Sequence, residues 1–93
     1  MSFQTDLPCA ATGRVDVQRC LHHVYTRKSR PDLAYKKWNL MPLCLEKHNE
    51  VHTVGLYRFS KNHPSVNDWL LKNGWEFDSF SKKWINRRAY ELN

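Results

Sequence analysis

The feature that most restricts the fold is a pair of histidines four apart. His48 and His52 lie in Leu43-Cys44-Leu45-Glu46-Lys47-His48-Asn49-Glu50-Val51-His52-Thr53, a segment that reads as helix. On a helix, residues i and i+4 stand one above the other on one face, so both imidazoles can grip one divalent ion. Two more histidines, His22 and His23, sit side by side upstream, and Asn39 lies between the two groups. Taken alone, His48 and His52 describe a surface helix with two solvated imidazoles. With His22, His23 and Asn39 beside them, the pattern points to a shared metal site.

A chain of 93 residues has room for one small domain with a modest core, and its twelve aromatics (four each of Trp, Tyr and Phe) are enough to fill one. Fifteen Lys and Arg against nine Asp and Glu leave a formal net charge of +6. That excess favours a polyanionic partner, nucleic acid before an acidic membrane face, although charge alone describes any basic protein equally well. Three cysteines, an odd number, fit poorly with a disulfide framework. No basic run followed by an apolar one opens the chain, and no apolar run approaches the ~20 residues of a membrane span. The expectation is a cytoplasmic, reduced protein with no membrane partner, monomeric or weakly homodimeric.

Residues 1–11 read as polar and irregular, with Thr12-Gly13 as a turn. Residues 14–22 alternate, placing Val15, Val17 and Leu21 on one side of a strand flawed by Arg19 and delivering His22 and His23 at its end. Residues 38–41 read as a second short strand, which Pro42 should close because it cannot donate to a ladder. The histidine-bearing helix spans residues 43–53, with Cys44, Leu45 and Val51 available to pack inward and Gly55 ending it. Residues 56–59 suggest one further helical turn. Pro64 suits a first helical position, Val66, Trp69 and Leu70 repeat at helical spacing, and Gly74 suits a C-terminal cap. Trp75-Glu76-Phe77 and Lys83-Trp84-Ile85-Asn86 alternate as a terminal hairpin, and the residues from Arg87 on should fray.

The set His22-His23, then Asn39-Leu40-Met41-Pro42-Leu43-Cys44, then His48-Asn49-Glu50-Val51-His52 resembles the motif of HNH endonucleases. The resemblance covers residues 9–55, and order, spacing and residue type agree together. It implies an α+β fold with a ββα-metal (HNH, or His-Me finger) core, here at residues 14–55. Residues 1–13 would precede that core, and a C-terminal helix and small β-hairpin at 56–93 would complete one nuclease domain over 1–93. By the same resemblance His23 is the general base, His22, His48 and His52 are the metal ligands, and Asn39 braces the metal loop. The position of His22 is Asp in many HNH enzymes and His in colicin-type DNases.

The chemistry agrees with these roles. Phosphodiester hydrolysis builds charge on phosphate oxygens that one divalent cation can neutralise, and neutral imidazole is suited to activating water near pH 7. Activity should fall below the ordinary imidazole value of ~6.5. Three imidazoles should bind Zn²⁺ or Ni²⁺ tightly, with Mn²⁺ or Mg²⁺ plausible for turnover. Many HNH proteins also hold a structural zinc in two Cys-x-x-Cys elements. Here those elements read Cys9-Ala10-Ala11-Thr12 and Cys44-Leu45-Glu46-Lys47, one ligand short in each half, so no structural zinc is expected unless Cys20 completes a three-thiolate site. Trp38, Trp69, Trp75 and Trp84 are the candidates to hold the N-terminal segment by packing instead. Cys20 and Cys44 otherwise read as small buried hydrophobes, and His63 as a surface residue near a helix start.

The loop cations Arg27, Lys28, Arg30, Lys36 and Lys37 read either as a solvated charge run or as contacts to a DNA backbone. No base-reading helix is visible, so the resemblance implies an endonuclease that nicks DNA with low sequence specificity and with salt-sensitive affinity. The alternatives are a nucleic-acid-binding module of the same fold without turnover, and a metal-stabilised interaction domain.

Overall fold

The computed structural model describes residues 3–90, with side chains from Thr5 onward. It is an α+β arrangement of two small antiparallel sheets and three α-helices. Strands β1 (Phe3–Thr5), β2 (Arg19–His23) and β3 (Leu40–Cys44) form one sheet in that order. Helices α1 (Leu45–Val54), α2 (Leu56–Asn62) and α3 (Pro64–Lys72) follow, then a hairpin of β4 (Trp75–Asp78) and β5 (Lys83–Asn86). Short 3₁₀ turns cover Pro31–Leu33, Lys37–Asn39 and Arg87–Tyr90.

The first sheet departs from the sequence reading in four ways. Residues 3–5 are not irregular but pair with β2, Phe3 opposite Leu21 and Thr5 opposite Arg19; three residues are too few to show a two-residue period. Strand β2 begins at Arg19 rather than at residue 14. The Arg19 guanidinium, which looked like a flaw, donates to the carbonyls of Asp6, Leu7, Val15 and Val17, and so holds residues 14–18 as a loop with Val15 exposed. Pro42 does not close β3 but sits inside it, opposite Leu21. Its carbonyl faces away from β2 and accepts the Ala10 N–H at 2.8 Å. Its nitrogen faces the same outer side of an edge strand, where a missing N–H breaks no ladder bond. Asn39 therefore lies on a 3₁₀ turn, not on the strand.

Strand β3 runs straight into α1, so Leu43 and Cys44 are buried strand residues and Leu45, expected inward, is exposed. Gly55, at φ 84°, redirects the chain from α1 into α2 in a conformation that side chains with a Cβ rarely adopt. Helix α2 is longer than the single turn expected. Helix α3 and the hairpin fall where their periodicities place them, with Pro64 in the first turn of α3. Met41, Leu43, Phe59, Val66, Leu70 and Trp75 form the buried centre, joined by Cys9, Val51 and Trp84. Trp38 and Trp69 pack against that centre. Both deeply placed indoles have partners: Trp75 Nε1–H donates to the Trp38 carbonyl at 2.7 Å and Trp84 Nε1–H to the Ser60 hydroxyl at 3.2 Å.

The N-terminal segment is tied down by Ala10 to Pro42, by the Ser65 hydroxyl to the Ala11 carbonyl at 2.9 Å, and by Cys9 Sγ, which accepts the Cys44 N–H at 3.4 Å. The chain beyond Arg87 is not frayed as far as Tyr90: Ala89 is buried and its carbonyl accepts Arg30 Nη2–H at 2.6 Å. The expected irregularity of residues 1–2 and fraying of 91–93 lie outside the described residues. Among the described residues, no helix is long and apolar enough to cross a membrane.

Candidate metal centre

Along β2 the buried positions are Cys20 and His22, so His22 faces the interior, and the half-buried His23 follows it at the end of the strand. Helix α1 packs across this strand and places His48 and His52 over His22. One nitrogen from each of the three rings lies within 4.8 Å of the others. The ring centroids are 5.3 Å (His22–His48), 5.2 Å (His22–His52) and 4.7 Å (His48–His52) apart. The Nε2 atoms of His48 and His52 are 3.2 Å apart. Two nitrogens at ~2.0–2.1 Å from one tetrahedral ion stand about 3.3–3.4 Å apart, so this spacing suits a shared cation. Among the described residues this is the one set of three His, Cys, Asp or Glu that could hold a metal ion; Cys9, Cys20 and Cys44 do not form another.

The protonation states also suit a cation. Burial first, and then the neighbouring charges of His48, His52 and His23, push His22 down to about 3. His48 is held below the ordinary imidazole value by burial and then by His52. These rings stay neutral at pH 7 and keep lone pairs for a metal. His22 is buried, His48 half-buried and His52 exposed, so the donors run from floor to rim of an open cleft. That cleft, about 200 Å³, is lined by Leu21, His22, His23, Thr26, Arg27, His48 and His52.

His23 lies in the same cleft, its Nε2 3.1 Å from the Ala34 carbonyl. A carbonyl only accepts, so in neutral His23 the hydrogen is on Nε2 and the lone pair on Nδ1. Asn39 is fully buried. Its Oδ1 accepts the Tyr25 N–H at 2.7 Å, and its Nδ2 donates to the carbonyls of Tyr25 and Leu33, each at 3.1 Å. Its own backbone carbonyl accepts the Val24 N–H at 2.9 Å. Asn39 thus clamps both ends of the 24–39 loop that leaves the histidine doublet, including the Ala34 carbonyl's supporting turn.

The basic residues divide. Arg27 lines the cleft, and Lys28, Lys36 and Lys37 are exposed on the same loop. Arg30 is committed elsewhere: it forks Asp32 at 3.0 and 2.9 Å, bonds Ala89, and lies near the rings of Tyr25 and Tyr90.

His63 is not the surface residue that its place before Pro64 suggests. Its Nε2 meets Glu50 Oε2 at 2.7 Å, its ring packs on Phe59, and Lys47 donates to the other Glu50 oxygen at 3.0 Å. This network locks α1, between its two histidines, onto the α2–α3 junction. The His63 bond holds the Glu50 carboxyl below its usual range, with Lys47 adding to it. Glu50 and His63 lie thirteen positions apart, a separation that follows no local period, so nothing in the sequence pattern signals the pair.

No protein-family model, curated protein or solved structure matches this chain.

Proposed function

We propose that the chain is a one-metal phosphodiesterase of the HNH type that nicks DNA with low sequence specificity. In that reading β2, β3 and α1 are the ββα-metal unit, and the convergence of His22, His48 and His52 beside His23 is the observation that carries it. A divalent cation on the three imidazoles would neutralise charge developing on the phosphate oxygens. His23 takes the proton of the attacking water on Nδ1, while its Nε2–H stays on the Ala34 carbonyl and fixes the ring. Asn39 keeps that carbonyl's loop in place. Arg27 faces the phosphate from the cleft wall, and Lys28, Lys36 and Lys37 lie along the path of the backbone. One site reaches one strand, so nicking is the expected product.

Supercoiled plasmid with Mn²⁺, Mg²⁺ or Ni²⁺ tests this. Wild type should convert it to open circle and His23→Ala should not, although His23→Ala retains all three ligands. Binding without conversion under every metal would replace the enzyme with a binding module of the same fold.

A further inference from the structure

The turn between β4 and β5 carries Phe80, which is 98% exposed. The backbone beneath it is closed by hydrogen bonds. Asp78 Oδ1 accepts the Phe80 N–H at 3.1 Å, and Asp78 Oδ2 accepts the Ser81 hydroxyl at 2.8 Å. Lys82 then adopts the left-handed conformation, φ 56°, and returns the chain to β5. Glycine would take that conformation with less strain, yet the position holds a charged side chain.

The neighbours of Phe80 along the turn are polar or cationic. Ser79, Ser81, Lys82 and Lys83 are exposed. The hairpin's two carboxylates are already engaged, Asp78 within the turn and Glu76 with Arg87 at 3.4 Å. On the adjoining helix α2, Lys61 stands 4.7 Å above the Tyr57 ring, which itself stacks on Phe77 at 5.1 Å. The hydrogen bond from Lys61, and then the charges of Lys61 and Lys82, hold the Tyr57 hydroxyl below its ordinary range. A protein-binding anchor works from a well-packed, fully desolvated patch, not from among exposed ammonium groups. A single ring set among ammonium groups instead suits a nucleobase, whose face stacks while its phosphates meet the cations.

We propose that this turn is a second nucleic-acid contact, in which Phe80 stacks on an unpaired base and Lys82 and Lys83 receive the flanking phosphates. The proposal rests on the reading of the chain as a DNA-acting enzyme and names its substrate class: DNA with unpaired bases near the cut. The hairpin's foot is fastened to the metal-site loop by the Trp75–Trp38 bond and the Tyr25–Trp75 ring contact at 5.0 Å. The turn lies one four-residue strand farther out, about 13 Å.

The test is binding of dye-labelled single-stranded DNA and of its fully paired duplex to the whole chain in chelator, where no cleavage occurs. Phe80→Ala should weaken single-strand binding roughly 5- to 150-fold, with little change on the duplex, and Phe80→Trp should restore it. Lys82→Ala should lower the slope of log affinity against log salt by roughly 0.7 on the single strand. Unchanged single-strand affinity in Phe80→Ala overturns the proposal, as does an equal loss on both substrates. Nicking by wild type with unchanged Phe80→Ala binding removes this contact alone; no nicking and no binding removes the nuclease reading as well.

Discussion

Acidifying the metal-free protein from pH 8 to pH 5 should destabilise it through His22. This imidazole is buried on β2 among three other histidines and is pushed down to about 3, whereas in the unfolded chain it titrates near the ordinary ~6.5. The unfolded state therefore takes up a proton that the folded state refuses. Stability from this group is complete above about 6.5 and is lost as the pH falls toward 3, about 5 kcal/mol over the whole interval. At pH 5 the loss is about 2 kcal/mol, or roughly 8–16 °C in Tm for a domain this small. His48, shifted the same way, adds to it. Asp16, Asp32, Glu50 and Asp78 are all held below their usual range, so their contributions fade only in stronger acid and leave pH 5–8 to the imidazoles. Urea denaturation in chelator at several pH values measures the effect directly, with His22→Gln as the control whose curve should be flatter. Equal pH dependence in wild type and His22→Gln would refute the reasoning, because the buried imidazole would then not be the group that resists protonation.

Two further outcomes follow from the same geometry. Asn39→Ala should cost about 2–4 kcal/mol in urea denaturation, since it strips partners from Tyr25 and Leu33 around a fully buried side chain; a loss below ~0.5 kcal/mol would show that Asn39 does not brace the loop. Zn²⁺ at a hundredfold excess over its Kd should stabilise the fold by about 2.7 kcal/mol, an increase of roughly 11–22 °C in Tm, and the double substitution of His48→Ala and His52→Ala should abolish the shift.

How much of this was legible in the sequence depends on whether the cause was local. Helix α3 is spelled out by Pro64, the Val66–Trp69–Leu70 spacing and Gly74, and the hairpin by alternation of Trp75, Phe77, Trp84 and Asn86. The histidine set was legible because a helix fixes the relation of His48 to His52, and a strand end can bring His22 across to them. The misses have non-local causes. Whether Pro42 ends a strand depends on which side of an edge its nitrogen faces, and that is decided by pairing with Leu21 and Ala10. Arg19 breaks the alternation because its guanidinium gathers loop carbonyls from two separate segments. His63 finds Glu50, Arg30 finds Ala89, and the Ala34 carbonyl finds His23 only after the chain has folded. Phe80 lies between the two alternating runs, where no period says which way a ring faces; it projects from a turn whose backbone Asp78 closes.

The account depends on three imidazoles sharing one cation. Anomalous diffraction from crystals grown with Mn²⁺ or Zn²⁺, recorded on both sides of the metal's absorption edge, tests that most directly. A single peak is expected at about 2.0–2.2 Å from one nitrogen each of His22, His48 and His52. No peak among those nitrogens at saturating metal, or a peak confined to the thiols of Cys9 and Cys44, would contradict it.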